Sequence, residues 1–228
     1  RPGEYREINN FYTATVYEKG AEIVRMLKTL VGEADFRRGM DLYFERFDGT
    51  AGTVEDFLSA FEEVTGRDLT HFARWYSQAG TPRVSASGSY DPERRTYRLD
   101  LSQETPPTPG QPVKEPLVIP VLLGLVGPEG TLHTRSNQVR DDGLFVLEKA
   151  ADSVVFEDVA AAPVPSLLRG FSAPVKSTLD LTNDELLVLL RHATDPFNCW
   201  QAGQTVAMRL PSAMGAGDSA PEDDIVEL

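Results

Sequence analysis

The sequence predicts an α+β chain of more than one domain, and three observations predict it. Apolar residues recur at three- and four-residue steps from Asn9 to about Gly80. They alternate at a step of two from Pro82 to about Pro174, and the helical step returns after Lys176. The expected units are therefore 1–81, helical; 82–175, a small antiparallel β-sandwich; 176–210, the opening of a second helical unit; and 211–228, an acidic disordered tail. With 228 residues, 41% of them hydrophobic, the chain can bury one good core or two modest ones.

The first helix places Val16, Ile23, Val24, Leu27, Leu30 and Val31 at helical spacing and is closed by Gly32. A second carries Phe36, Met40, Tyr43, Phe44 and Phe47 on one face and stops at Gly49. The third starts at Thr53, with Asp56 where a capping box needs it, and buries Phe57, Leu58, Phe61 and Val64 before Gly66. Asp68 or Thr70 caps a fourth whose Leu69, Phe72, Trp75 and Tyr76 face inward. Gly80-Thr81-Pro82 then breaks the helical pattern.

In the strand region, Tyr97, Leu99 and Leu101 alternate with Arg98, Asp100 and Ser102 after a turn at Asp91-Pro92. Leu117–Val126 is a longer apolar run, and 144–147 and 154–156 are short strands. The Pro-rich stretch from Thr105 to Pro116 reads as an open, protease-sensitive loop. Short strands with frequent turn signals make a sandwich. Beyond Lys176, Thr182 and Glu185 form a capping box, and Asp195-Pro196 starts a last helix that ends near Leu210. Asp218–Leu228 holds five acids and no base, hence the expectation of disorder.

Net charge is −13, and no region is net basic, so phosphates meet no cationic footprint and nucleic-acid binding is excluded. No apolar run approaches the roughly 20 residues that span a bilayer, so no membrane partner is expected. The absence of a leader and of an initiator Met makes the chain read as cut from something longer. One cysteine, Cys199, cannot pair internally, and a reducing, cytoplasmic compartment fits it best.

Of His71, His133 and His192, no two stand at the four-residue spacing that puts paired imidazoles on one helical face, so no metal site is expected in this chain. Cys199 has no nearby His or basic cluster to favour a thiolate and reads as a buried bystander. His192 suits the last turn of its helix. There is no Gly-x-Ser-x-Gly, P-loop or Gly-x-Gly-x-x-Gly. The stretch from Asn9 to Glu22 is unusual: Gly20 sits inside a helical pattern, where it costs about 1 kcal/mol against Ala. Tyr17, Gly20, Ala21 and Val24 share a face there, leaving space beside the phenol for another backbone or a ligand. Close helix packing with Tyr17 as a core residue explains the same pattern.

Asn9-Asn10-Phe11-Tyr12-Thr13, running on through Thr15-Val16-Tyr17-Glu18-Lys19-Gly20-Ala21-Glu22, resembles the segment of the bacterial aminopeptidase N family that follows its zinc site. The likeness continues through 42–46, through His71-Phe72 and Arg74-Trp75-Tyr76-Ser77-Gln78 to Gly80-Thr81-Pro82, through Phe171–Lys176, and through 190–193; the stretch after Leu210 departs from it. The resemblance implies the helical end of a thermolysin-like catalytic domain, then the sandwich, then the start of an α-helical domain. It implies removal of N-terminal residues from peptide substrates by a zinc enzyme, cytoplasmic and monomeric, with broad specificity including Ala, Lys, Arg or Leu. Tyr17 matches the family tyrosine that donates to the oxyanion of the tetrahedral intermediate, and Asn9 and Tyr12 match residues of the pocket for the first side chain. The zinc ligands, the general-base Glu and the amine-gripping loop have no counterpart in this chain. A non-catalytic scaffold or a truncated member of the same fold is the alternative.

Overall fold

The computed structural model describes residues 6–215. A 3-10 turn, Ile8–Phe11, leads into a π-helical turn, Thr15–Lys19, and then into α1, Gly20–Val31. The helix expected to run through Val16 and Ile23 thus has its first turn widened: the Gly20 N–H donates to the Thr15 carbonyl, five residues back. α1 buries Ile23, Met26, Leu27, Leu30 and Val31, which the helical period brings to one side.

α2, Glu33–Phe47, and α3, Val54–Thr65, follow as a helical pair. Thr53 and Asp56 form the expected capping box, each side chain bonded to the other's backbone N–H at 3.1 and 2.9 Å. Phe44, assigned to the inward face of α2, is 55% exposed. What lets the pair approach is Gly39, where a Cβ would lie 2.5 Å from ring carbons of the fully buried Phe61. The fourth helix is only one turn, α4, Arg74–Ser77, preceded by an Asp68 side chain that accepts from the Thr70 N–H at 2.8 Å.

Two four-stranded sheets follow. One runs in the order β6 (Ala151–Phe156), β2 (Thr96–Glu104), β1 (Arg83–Asp91), β8 (Lys176–Leu179). In the other, β3 (Ile119–Gly127) pairs β5 (Leu144–Leu147), β4 (Gly130–Thr131) and β7 (Val164–Leu167). All pairs are antiparallel except β1 with β8. β1, β7 and β8 carry too few alternating apolar residues to be read from sequence, and β8 carries the strands past the expected boundary at 175. Tyr97, Leu99 and Leu101 of β2 face Ile119, Val121, Leu123 and Leu125 of β3 in one core that also takes in α1, Phe61, Phe72 and Trp75. The buried Gln103 amide closes the end of that core: it donates to the Leu117, Leu147 and Lys149 carbonyls and accepts from the Leu117 N–H at 2.8 Å.

α5, Asn183–His192, begins with the expected Thr182–Glu185 capping box. α6, Pro196–Gly215, passes the expected end at Leu210, so 211–215 are helical where a disordered tail was expected. The acidic stretch from 218 to 228 lies outside the described residues. Both helices pack on the β3–β7 end through Val126, Val164, Leu186, Leu189 and Ala202.

Gly39→Ala sets a gain in helix propensity of about 1 kcal/mol against about 1–3 kcal/mol for overpacking the Phe61 ring. The expected outcome is a thermal midpoint a few degrees lower. A raised midpoint would show that the helices yield.

Candidate functional site: the tyrosine turn and its cavity

The chain folds Tyr17 onto the π-helical turn, and no residue of that turn is buried. Its ring is 59% exposed, so within this chain it is no core tyrosine. Tyr12, 55% exposed, stacks on it with ring centroids 6.1 Å apart and planes at 25°. Asn9 stands one turn earlier, exposed, and its carbonyl accepts from the Tyr12 N–H at 3.2 Å. The structure therefore brings Tyr12 and Tyr17 into contact and places Asn9 on the turn that leads to them. Tyr76 and Tyr97 differ: burial pushes each phenol up to about 12, with Glu185 adding to the effect on Tyr97.

Tyr17 does not share its face with Gly20 and Val24 as straight helical spacing implied. The wider π turn shifts the register, and Gly20 and Val24 instead line a cavity of about 930 Å³ with Lys19, Tyr43, Trp75 and Gln111. A Cβ on Gly20 would meet only the Thr15 carbonyl, at 4.0 Å; the space beside this glycine belongs to the cavity, whereas the sequence placed it beside the Tyr17 ring, which does not line it. Lys19 reaches across to donate to the Gly80 carbonyl at 2.7 Å, and its ammonium lies 5.8 Å from the centre of the Trp75 ring. Burial lowers its pKa below the ordinary lysine value.

The block from His71 to Gln78 proves to be a joint. His71 Nε2 and Arg74 Nη1 lie 2.9 and 3.0 Å from the Pro116 carbonyl. The Trp75 indole donates to the Val118 carbonyl at 2.8 Å, and Gln78 exchanges two bonds with the backbone of Glu115. Gln111 answers from the other side, accepting from the Ala79 N–H at 2.8 Å and donating to the Ser77 carbonyl at 2.9 Å. The Pro-rich stretch expected to be open is fastened along this line. A second joint holds α1: Arg25 donates to the Gly170 and Phe171 carbonyls at 2.7 Å, and Arg140 to those of Thr29 and Leu30 at 3.1 Å. Sequence reading singled out neither arginine, nor Gln111, because a long-range bond to a carbonyl leaves no periodic signal.

Among the described residues no group of three or more His, Cys, Asp or Glu side chains could hold a metal ion. His71 lies before α4, His133 after β4 and His192 in the last turn of α5. Cys199, half-buried, is free and lies 3.0 Å from the Ala193 carbonyl. Among the same residues no helix is long and apolar enough to cross a membrane.

The Peptidase family M1 domain matches residues 1–76, and a domain of unknown function with an Ig-like fold (DUF3458) matches 80–180. Aminopeptidase N of Escherichia coli (strain K12) is 46% identical over 207 residues, 90% of this chain and 24% of that protein. Aminopeptidase N of Caulobacter vibrioides is 48% identical over 225 residues, 98% of this chain and 25% of that protein. The chain belongs to the aminopeptidase N family. It spans about a quarter of the length of these curated relatives. The crystal structure of Legionella pneumophila aminopeptidase A in complex with aspartic acid superposes with a TM-score of 0.84 at 28% identity, over 98% of this chain and 25% of that one. Coverage by the Caulobacter relative corrects one expectation, since a match of 98% runs into the stretch after Leu210 that was set apart from the family.

The donor set predicts that the 228-residue chain by itself holds no stoichiometric zinc after exhaustive dialysis. Elemental analysis checks it; about one tightly held zinc per chain would contradict it.

Proposed function

We propose that this chain supplies the oxyanion-stabilising tyrosine and part of the first-residue pocket to a metal-dependent aminopeptidase acting on peptides. The observation that carries the reading is the placement of Tyr17. It is a phenol held out of the core, stacked on Tyr12, on a turn of unusual helical geometry, in a chain of this family. π-Turns are rare and recur at functional sites. A phenol O–H can donate a hydrogen bond to an oxygen that becomes charged as the peptide carbonyl is attacked. Tyr12 and Asn9, exposed and adjoining, form one wall against which the first side chain of the peptide rests.

The metal, zinc by resemblance, finds no ligand cluster among the described residues, so no step is assigned to it here. Nucleophile activation and amine recognition fall to residues outside this chain. The reading places the enzyme in the cytoplasm, in keeping with the free Cys199, and takes it as a monomer by resemblance alone.

The test is Tyr17→Phe in the full-length peptidase, assayed on an aminoacyl-p-nitroanilide. Loss of one oxyanion donor should lower kcat by about 10²–10³-fold and leave KM nearly unchanged, because the bond is made mainly in the transition state. The ring remains, so the thermal midpoint should hold. Normal kcat would overturn the reading and leave Tyr17 a structural tyrosine.

A further inference from the structure

The tyrosine turn lacks the usual means of staying in place. None of its five residues is buried, and neither end is capped by a side chain. A π-turn is a strained segment that persists where its surroundings hold it. The residue that ties this one across the chain is Lys19, its last, two positions after Tyr17, through the bond to the Gly80 carbonyl 61 residues on.

That carbonyl is itself rigidly placed. Gly80 has φ +103°, a conformation open to glycine, and a Cβ there would come within 3.0 Å of the Thr105 methyl. On one side of it the Ala79 N–H donates to Gln111 and the Ala79 carbonyl accepts from Lys114 at 2.9 Å; on the other the Pro82 carbonyl accepts from the Lys176 N–H at 2.9 Å. Lys114 is in turn bonded to Thr108 and Gln111. The loop that leads into β3, and the strand β8, thus fix the acceptor from both sides. The Trp75 face under the ammonium adds a second contact in the same direction.

We propose that Lys19 is a positioning residue for Tyr17: by gripping the Gly80 carbonyl it holds the π-helical turn, and with it the phenol, in register with the β-sandwich. The assignment rests on the tyrosine reading above, and it makes the sandwich part of what sets the tyrosine's place. Lys19 touches no reacting atom in this account. It acts through the turn it ends.

Two measurements test it. In the 228-residue chain with labelled tyrosine rings, the stacked Tyr12–Tyr17 pair should give a ring-to-ring nuclear Overhauser effect. Lys19→Met should abolish that effect while the thermal midpoint stays close to the parent value, and Lys19→Arg, which keeps a donor for the carbonyl, should restore most of it. An undiminished effect in Lys19→Met would overturn the proposal. So would its loss together with general unfolding, since Lys19 would then be a stability residue. In the full-length peptidase, Lys19→Met should lower kcat by about 10-fold or more with KM little changed, as misplacement of a catalytic group does. The same substitution in a Tyr17→Phe background should cost less than about twofold, because coupled residues are not additive. Equal losses in both backgrounds would mean that Lys19 acts elsewhere, which sinks the positioning role alone. A Tyr17→Phe enzyme with normal kcat sinks the tyrosine reading, a different result from the first.

Discussion

Trp75 is only 4% exposed at the point where the helices meet the sandwich, and its indole N–H ends 2.8 Å from the Val118 carbonyl. Val118 directly precedes β3, the strand that threads the centre of the second sheet. A buried N–H without a partner costs about 1–3 kcal/mol, so the indole and that carbonyl constrain each other. The Pro116 and Glu115 carbonyls beside it are taken up by Arg74, His71 and Gln78, all from the same short stretch. The stretch from His71 to Gln78 thereby meets the backbone groups that 115–118 presents before the strand begins. The helical part has no freedom to slide along the sandwich without unpairing several of these groups together.

The placement of the tyrosine follows from this joint. Trp75 floors the position of the Lys19 ammonium, and the chain leaves α4 through Gly80, whose carbonyl Lys19 grips. Arg25 and Arg140 secure the rest of α1 from the sandwich side, on carbonyls of Gly170, Phe171, Thr29 and Leu30. Phe171 is itself held at φ +55°, a conformation that a non-glycine residue keeps only where its surroundings over-determine it. By contrast the ion pairs on the helix surfaces, such as Arg37–Asp41 and Arg46–Glu63, are well exposed and screened by solvent, so they fix little. The long-range bonds to backbone carbonyls, with the shared apolar core, do the fixing.

How much of this could be read in advance follows from the kind of signal each feature leaves. Helices α1 to α3 and the strands β2, β3, β5 and β6 are periodic, and their caps, Thr53 with Asp56 and Thr182 with Glu185, are local. Both kinds of signal survive in one dimension. β7 is proline-interrupted, and β8 reads Lys-Ser-Thr-Leu; they are strands because β3 and β1 offer them free edges, which no local pattern records. The exposure of Tyr17 was not legible either. Its spacing from Gly20 and Val24 suggested one face, and the π turn moved it off that face. Residues of the motif blocks, among them His71, Arg74, Trp75 and Gln78, hold backbone groups of 115–118, a role visible only once the chain is folded.

Central to this account is that the joint makes the helices and the sandwich one cooperative body. Native-state hydrogen exchange tests that most directly, by comparing the slowest amides of α1 and α3 with those of β2 and β3 as denaturant is raised. The account predicts that the two sets open with the same free energy and the same denaturant dependence. Exchange of α1–α3 as a group through a separate, lower-energy opening, with β2 and β3 still protected, would contradict it.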